Sequence, residues 1–212
     1  MRLSVEKLGR GLVNFFTSSN GPPEWEGCAE SCNKSERMLF QARRLAAYFN
    51  MDRQERKELG ILCYCYDIGK IGLPDYLLHQ DRELTERERA VWDSHIDIGA
   101  QIAASVPQLA AAAHLLRYYG ECYNGNGPKG LKGREIPLGC RIFTVVWLYD
   151  SLLYPPGGQK RMICAEALNN LLRYYAGVIA DPEVVEAFII EMGEGSLLAS
   201  QRRRMPVIKR VL

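Results

Sequence analysis

The sequence contains few histidines, no long apolar segment and almost no excess of charge. Three of its 212 residues are histidines, at positions 79, 95 and 114, and the longest apolar run covers only residues 109–116. A transmembrane helix needs about 20 apolar residues, and the charged residues at positions 6, 7 and 10 argue against a secretory signal. We therefore expect a cytoplasmic protein without a transmembrane segment.

The composition is nevertheless that of a folded domain. Hydrophobic residues make up 47% and charged residues 25% of the chain, and the net charge is +2 with histidine neutral. These values argue against intrinsic disorder. The seven cysteines cannot all pair internally because their number is odd, and thiols in a reducing compartment are expected.

Helix breakers and charge divide the chain into three predicted parts. Residues 1–27 are predicted to be an N-terminal extension that is helical in part, and residues 28–194 a single helical domain. Residues 195–212 are predicted to be a basic tail. The segment 201–212 holds five basic residues and no acidic one, which is typical of a solvated tail and leaves contact with an anionic partner as the alternative. Nothing else indicates specific nucleic-acid binding.

Apolar residues recur at helical spacing without a βαβ pattern, so the predicted fold class is all-α. Asp52 with Glu55, and Thr85 with Glu88, have the spacing of capping boxes that open two helices. Pro107 is expected to start a further helix. The helix after Thr85 is expected to bury one face, formed by Val91, His95, Ile98 and Ile102. A later buried helix is indicated by Ile142, Val145 and Val146.

Three segments contain residue types that suit chemistry at a phosphate or a metal. Residues 66–75, YDIGKIGLPD, place Asp67 and Lys70 three apart before a glycine-rich turn. Lys70 could neutralise a phosphate there, although a structural Asp67–Lys70 pair is the simpler explanation. His95 lies on an apolar helix face, where histidines are more often core residues than ligands. The glycine-rich segment 121–133 has the composition of either a ligand-binding loop or an ordinary surface loop.

The order and spacing of these segments resemble the HD-GYP family, the helical metal-dependent phosphodiesterases that hydrolyse cyclic di-GMP in bacteria. The matching text is YDIGKIGLPD, LTERERAVWDSHIDIGAQI, ECYNGNGPKGLKGREIPLGCRIFTVVWLYDSL and EALNNLLRYYAGVIADPEVVEAF. The likeness covers about residues 35–188. It implies an HD-domain-like helical bundle.

The departures from the family pattern fall on its two-metal site. Family positions that this sequence retains are Asp67, Lys70, His95, Glu121 and Asp150. Positions where the resemblance implies a lost metal ligand are Tyr66, Tyr119, Gly120 and Trp147. A neutral phenol is a poor ligand, glycine has no donor, and the Trp147 ring is expected to fill the cavity. We therefore expect the metal site to be emptied and packed over.

The favoured hypothesis is a catalytically degenerate HD-GYP-like domain, a regulatory or protein-interaction module in bacterial cyclic di-GMP signalling. One alternative is a metal-dependent cyclic di-GMP phosphodiesterase with altered ligands. The other is a receptor that binds cyclic di-GMP without hydrolysing it, with Lys70, Lys129 and Lys132 as phosphate contacts. For Lys129 and Lys132, solvated surface charge is the favoured explanation.

No metal cofactor is expected, and Fe, Mn or Zn enters only if Asp67 and His95 belong to an altered metal site. A zinc site at Cys63, Cys65 and Cys122 is the other option considered, with small buried hydrophobes as the favoured role. Expected partners are signalling proteins, including diguanylate-cyclase-type proteins that the family contacts through its Gly-Tyr-Pro region. That region lacks its tyrosine here. A homodimer is also left open.

Overall fold

A computed structural model describes residues 34–78, 82–154 and 163–202 of the protein, with side chains described up to residue 193. The predicted N-terminal extension, the cysteines at positions 28 and 32, the histidine at position 79 and the end of the basic tail lie outside the described residues. The predictions made for them stay predictions.

The described chain is helical and contains no β-sheet, which confirms the predicted all-α class. The helices are α1 (Lys34–Tyr48), α2 (Arg53–Cys65), α3 (Asp75–Leu78), α4 (Glu86–Ser105), α5 (Ala113–Tyr118), α6 (Leu138–Leu153), α7 (Ala165–Tyr175) and α8 (Pro182–Arg202). Short 3-10 turns cover Ile68–Gly72, Ala110–Ala112 and Gly133–Glu135. Within these ranges no helix combines the length and the hydrophobicity that crossing a bilayer requires. The last helix continues past residue 194, where the predicted domain ended.

Helix α6 lies at the centre of the bundle. It packs against α1, α2, α5, α7 and α8. The side chains of Ile142, Val145 and Val146 are completely buried, as their spacing indicated. The edge of the Tyr149 ring meets Phe188 of α8 with 4.8 Å between ring centroids. Because α6 is fixed from several sides, it is a rigid support for the polar groups that neighbouring helices bring to its surface.

The starts of α2 and α4 confirm both predicted capping boxes. The Asp52 carboxylate accepts from the Glu55 backbone N–H at 2.8 Å, and the Glu55 carboxylate accepts from the Asp52 N–H at 2.7 Å. Thr85 and Glu88 repeat this reciprocal pair at the start of α4. Each box satisfies N–H groups that a helix start leaves without an intrahelical acceptor.

Two local predictions are wrong. Pro107 does not start a helix, because residues 107–109 form only an isolated turn closed by hydrogen bonds to the Val106 carbonyl, and helical structure begins with the 3-10 turn Ala110–Ala112 and α5. The buried face of α4 is also rotated from the predicted one, since Val91 is 40% exposed. Apart from His95, the residues that α4 buries are Ile96 and three small ones, Gly99, Ala100 and Ala103.

The small residues of α4 allow the Ile68–Gly72 turn to lie directly against its backbone. A Cβ atom on Gly69 would stand 1.8 Å from the His95 carbonyl oxygen and 2.6 Å from the Gly99 nitrogen. Only a residue without a side chain fits this crossing. The turn can therefore pack against α4 in only one position, and that position determines where Asp67 and Lys70 lie.

A buried ion pair joins α1 to α6. The Arg37 guanidinium contacts the Asp150 carboxylate through two nitrogens, at 2.7 and 3.1 Å. The Asp150 side chain is only 5% exposed, and the Arg37 guanidinium also lies 4.0 Å from the centroid of the Tyr154 ring. Since a carboxylate at this depth requires a partner, the pair fixes α1 in register with α6.

Replacement of Gly69 by alanine tests the close packing of the turn against α4. The added methyl group overlaps backbone atoms of α4 that cannot move without bending the helix, so we expect Gly69→Ala to lower the free energy of unfolding by about 3 kcal/mol or more. Urea denaturation measures this change. Gly193→Ala is the matched control, because a Cβ there meets nothing within 4 Å and alanine favours a helix. A Gly69→Ala protein as stable as wild type would contradict the described crossing.

Removal of Asp150 tests the buried pair. Asp150→Ala leaves Arg37 with a buried and uncompensated charge, and we expect a loss of about 3–5 kcal/mol in unfolding free energy. Glu186→Ala removes the exposed Arg173–Glu186 pair and should cost at most about 1 kcal/mol. Equal losses of unfolding free energy in the two variants would show that the buried Arg37–Asp150 pair stabilises the protein no more than an exposed pair.

Candidate functional site

Tyr66 and Tyr119 pack with Phe143 into an aromatic cluster beside α4. Tyr66 caps α2, Tyr119 follows α5, and Phe143 comes from α6. The ring centroids of Tyr66 and Phe143 are 5.2 Å apart, and those of Tyr119 and Phe143 are 5.4 Å apart. The two tyrosines also meet edge to face at 6.2 Å. The sequence analysis did not predict Phe143 as a site residue, because its only distinguishing feature there is its place in an apolar helix.

Both ring nitrogens of His95 are engaged. Nδ1 lies 2.5 Å from the Trp92 carbonyl oxygen, and Nε2 lies 2.7 Å from the Tyr119 hydroxyl. A carbonyl oxygen only accepts, so the hydrogen-bond network assigns the proton to Nδ1. In the neutral ring, Nε2 then accepts from the Tyr119 hydroxyl. The nitrogen that would otherwise be open to a metal is therefore occupied by the chain's own phenol.

The Asp67 carboxylate also has partners within the protein. It lies 2.8 Å from the Lys70 ammonium, as the sequence predicted, and it also accepts a hydrogen bond from the Tyr66 side chain. The Lys70 ammonium in turn lies 5.3 Å from the centroid of the Trp92 ring. Asp67 and His95 thus each meet one of the two tyrosines, Tyr66 and Tyr119.

The surroundings keep both tyrosines protonated. Burial raises the pKa of Tyr66, and the nearby Asp67 carboxylate raises it further. Burial also raises the pKa of Tyr119, with additional contributions from Asp67 and Tyr66. Because a tyrosine binds a metal well only as a phenolate, these groups act at neutral pH as hydrogen-bond donors.

Glu121 organises the glycine-rich segment that follows it. Its two carboxylate oxygens accept from the backbone N–H groups of Lys129, at 2.6 Å, and Leu131, at 2.9 Å. Gly127 is pressed against this carboxylate, since a Cβ there would lie 2.7 Å from the Glu121 Oε2 atom. The Lys129 ammonium pairs with Asp97 of α4 at 2.5 Å. Lys132 is exposed.

Trp147 does not fill the site, so that prediction is wrong. Its ring is 39% exposed, and the Lys34 ammonium lies 5.2 Å from the ring centroid. The inner face of α6 at this level is formed by buried residues on either side of Trp147, and the ring turns outward. The space beside His95 is instead occupied by Tyr66, Tyr119 and Phe143.

No described cysteine belongs to a group of three or more His, Cys, Asp or Glu side chains that could hold a metal ion. Burial raises the pKa of Cys63 to about 12 and that of Cys65 to about 11, so both remain thiols. Cys122 is half-buried, and burial raises its pKa as well. His114 is exposed and lies 3.8 Å from Glu58.

The residues do not fit a two-metal centre. Among the described residues there is no group of three or more His, Cys, Asp or Glu side chains that could hold a metal ion. The His, Asp and Glu side chains at the retained family positions each have partners within the protein: Asp67 has Lys70 and Tyr66, His95 has Trp92 and Tyr119, Glu121 has backbone N–H groups, and Asp150 has Arg37. Gly120 has no donor.

Comparison with known proteins identifies the family. The family model described as HD domain matches residues 28–184. This chain belongs to the HD domain family. Its relatives confirm the HD-GYP resemblance. The chain is 31% identical to a cyclic di-GMP phosphodiesterase of Thermotoga maritima, over 76% of this chain and 44% of that protein.

A second relative supports the same placement, and a solved structure shows a similar fold. The cyclic di-GMP phosphodiesterase response regulator RpfG of Xanthomonas campestris is 32% identical over 73% of this chain and 41% of its own length. An HDG"Y"P protein from Bdellovibrio bacteriovorus has a similar fold, with a TM-score of 0.58 and 19% identity over 76% of this chain and 51% of that one. The matched part of the chain thus spans less than half the length of the Thermotoga and Xanthomonas relatives.

The alkaline stability of the protein tests the state of the two buried phenols. Since the folded state holds their protons more tightly than the unfolded state, stability is fully present below about pH 10 and is lost as the pH rises further. The melting temperature measured from pH 8 to 11 should fall less steeply in the Tyr66→Phe, Tyr119→Phe double variant. Tyr174→Phe, at an exposed ring, should leave the slope unchanged, and an equal slope in all three proteins would contradict this assignment.

Proposed function

We propose that this chain is a catalytically degenerate HD-GYP domain that acts in bacterial cyclic di-GMP-related signalling as a regulatory or protein-interaction module. The observation that carries the proposal is the hydrogen bond between the Tyr119 hydroxyl and Nε2 of His95. It places a protein donor on the ring nitrogen that would otherwise be open to a metal. A cytoplasmic location is part of the same proposal.

The chemistry of phosphodiester hydrolysis explains why this substitution matters. A metal-dependent hydrolase uses its ions to polarise the phosphoryl oxygens and to lower the pKa of the attacking water. Asp67 and His95 are the residual groups nearest such a task, and both already have hydrogen-bond partners within the protein. Binding of a metal would require both contacts to break, and burial raises the pKa of Tyr66 and Tyr119 and so favours their neutral hydroxyls over phenolate ligands.

A second candidate is a receptor that binds cyclic di-GMP without cleaving it. It is favoured by the position of the Lys70 ammonium against the Trp92 ring, next to the turn that resembles the family's signature. Lys129 is a weaker candidate for such a contact, because its ammonium is already paired with Asp97. Signalling proteins, including diguanylate-cyclase-type partners, and a second copy of the chain are the protein partners that the regulatory function would use.

Metal content and hydrolysis test the proposal together. Protein purified without chelators should contain well below one equivalent of Fe, Mn or Zn by elemental analysis. It should also release no product from cyclic di-GMP with added Mn²⁺ or Fe²⁺. Asp67→Ala should lower the unfolding free energy by at most about 1 kcal/mol, because the Asp67–Lys70 pair is partly exposed.

Two results would contradict the proposal. About two metal ions per chain, or hydrolysis that disappears in Asp67→Ala, would replace the proposal with the altered-ligand phosphodiesterase. Lys132→Ala is the control for this assay, since Lys132 is exposed and outside the cluster around His95. Loss of hydrolysis in that control as well would point to a contaminating enzyme.

A further inference from the structure

Exposed apolar side chains flank the seam between α1 and α8. Arg44 joins the two helices, because its guanidinium donates to the Glu191 backbone carbonyl and pairs with the Glu191 carboxylate. Phe40 and Tyr48 lie one turn before and one turn after Arg44 on the same side of α1, and Ile190 precedes Glu191. These three apolar residues are 53%, 46% and 47% exposed. Large apolar side chains grouped in this way mark an interaction surface, which we call the α1–α8 face.

The charges of the α1–α8 face are balanced. Arg44 and Glu191 contribute one charge of each sign, and both side chains are partly exposed. Glu36 and Arg43, which lie one turn on either side of Phe40, again have opposite signs. A surface with charge of a single sign repels a copy of itself, whereas this one can meet its copy with Arg44 beside Glu191 of the second copy.

The two helices of the face run in the same direction. Tyr149 of α6 hydrogen-bonds to Gln41 of α1 and contacts Phe188 of α8, and the Arg44–Glu191 pair lies three residues further along each helix. Helix α1 ends four residues after Arg44, whereas α8 continues for eleven residues after Glu191. At about 1.5 Å per residue, α8 extends past the end of α1 by roughly 10 Å.

The projecting end of α8 has the sequence of a helix that packs against a neighbour. A Cβ atom on Gly193 would meet nothing within 4 Å, so α8 borders open space at this position. The spacing of residues 190, 193 and 197 places them on one side of the helix, and Leu197 and Leu198 both belong to the projecting part. Because helices gain most of their stability from packing of an apolar side, an end of this composition favours a partner that runs along it.

We propose that the α1–α8 face and the projecting end of α8 bind a second copy of this chain through a twofold axis, with the two α8 helices antiparallel. The order of charges along α8 favours this arrangement, because Glu191 and Glu194 precede three arginines at residues 202–204. Antiparallel packing directs the basic end of each copy towards the acidic part of the other, whereas parallel packing places like charges together. The inference rests on the proposed function in one respect, since it selects a second copy among the partners of a regulatory module.

Sedimentation velocity of the full chain over a concentration series tests the interface. A species of twice the 24.0 kDa chain mass should form as the concentration rises. Ile190→Asp and Phe40→Asp should each weaken dimerisation about tenfold or more, because each places two charges in an apolar contact, one from each copy. Val178→Asp is the matched control, since it changes a similarly exposed aliphatic side chain in the turn after α7 and should leave dimerisation unchanged.

The three variants locate the contact as well as detect it. A dimer that both Ile190→Asp and Phe40→Asp weaken and that Val178→Asp does not weaken supports the inference. A monomer at every concentration overturns it, and so does a dimer that either of the first two variants leaves intact or that Val178→Asp weakens equally. These results are independent of metal content and hydrolysis, so a failure of the interface is distinguishable from a failure of the proposed function.

Folding of the variants is checked by thermal melting at concentrations at which wild type is monomeric. Because both side chains are about half exposed, Ile190→Asp and Phe40→Asp should melt within about 2–4 °C of wild type. If either melts far below wild type, Ile190→Ser and Phe40→Ser replace the aspartate variants, since they remove the apolar contact without adding a charge. Dimerisation that these serine variants do not weaken would also overturn the inference.

Discussion

The contact between Gly69 and the backbone of α4 is the constraint on which the site depends. With less than 2 Å between a Cβ at that position and the His95 carbonyl, the turn can approach α4 in only one way. That approach brings Asp67 and Lys70 to the helix that carries Trp92 and His95. Everything beside the turn, from the Asp67–Lys70 ion pair to the tyrosine cluster, is arranged around a crossing that the absence of a side chain at Gly69 makes possible.

The polar groups at the site are satisfied within the protein. Without the tyrosines at positions 66 and 119, Asp67 and His95 would each lose a partner, and an unsatisfied polar group is costly when it is buried. Each phenol supplies a ring that fills space and a hydroxyl that meets one of these two side chains, so the interior is both packed and hydrogen-bonded.

Much of the fold could be predicted because it follows local rules. The capping boxes at Asp52 and Thr85 and the buried stripe of α6 depend on spacing along one helix. The errors at Pro107 and on the face of α4 arose where another segment decides the outcome. Small residues rather than large apolar ones mark the buried face of α4, because backbone rather than side chains packs against it.

The candidate site was predictable only in part, for the same reason. The Asp67–Lys70 pair lies within one turn of chain and was expected. The outward direction of the Trp147 ring and the position of Lys34 against it depend on how α1 meets α6, which no spacing in the sequence encodes.

The position of Lys34 and Arg37, one helical turn apart at the start of α1, has a consequence for the energetics of that helix end. Unwinding of a single turn would withdraw both cations from α6 and leave Asp150 buried without its partner. Opening of this turn would therefore cost more free energy than fraying of an ordinary helix end, because it leaves a buried carboxylate without its counter-charge. A helix end, ordinarily the least stable part of a helix, is here tied to the buried centre of the bundle.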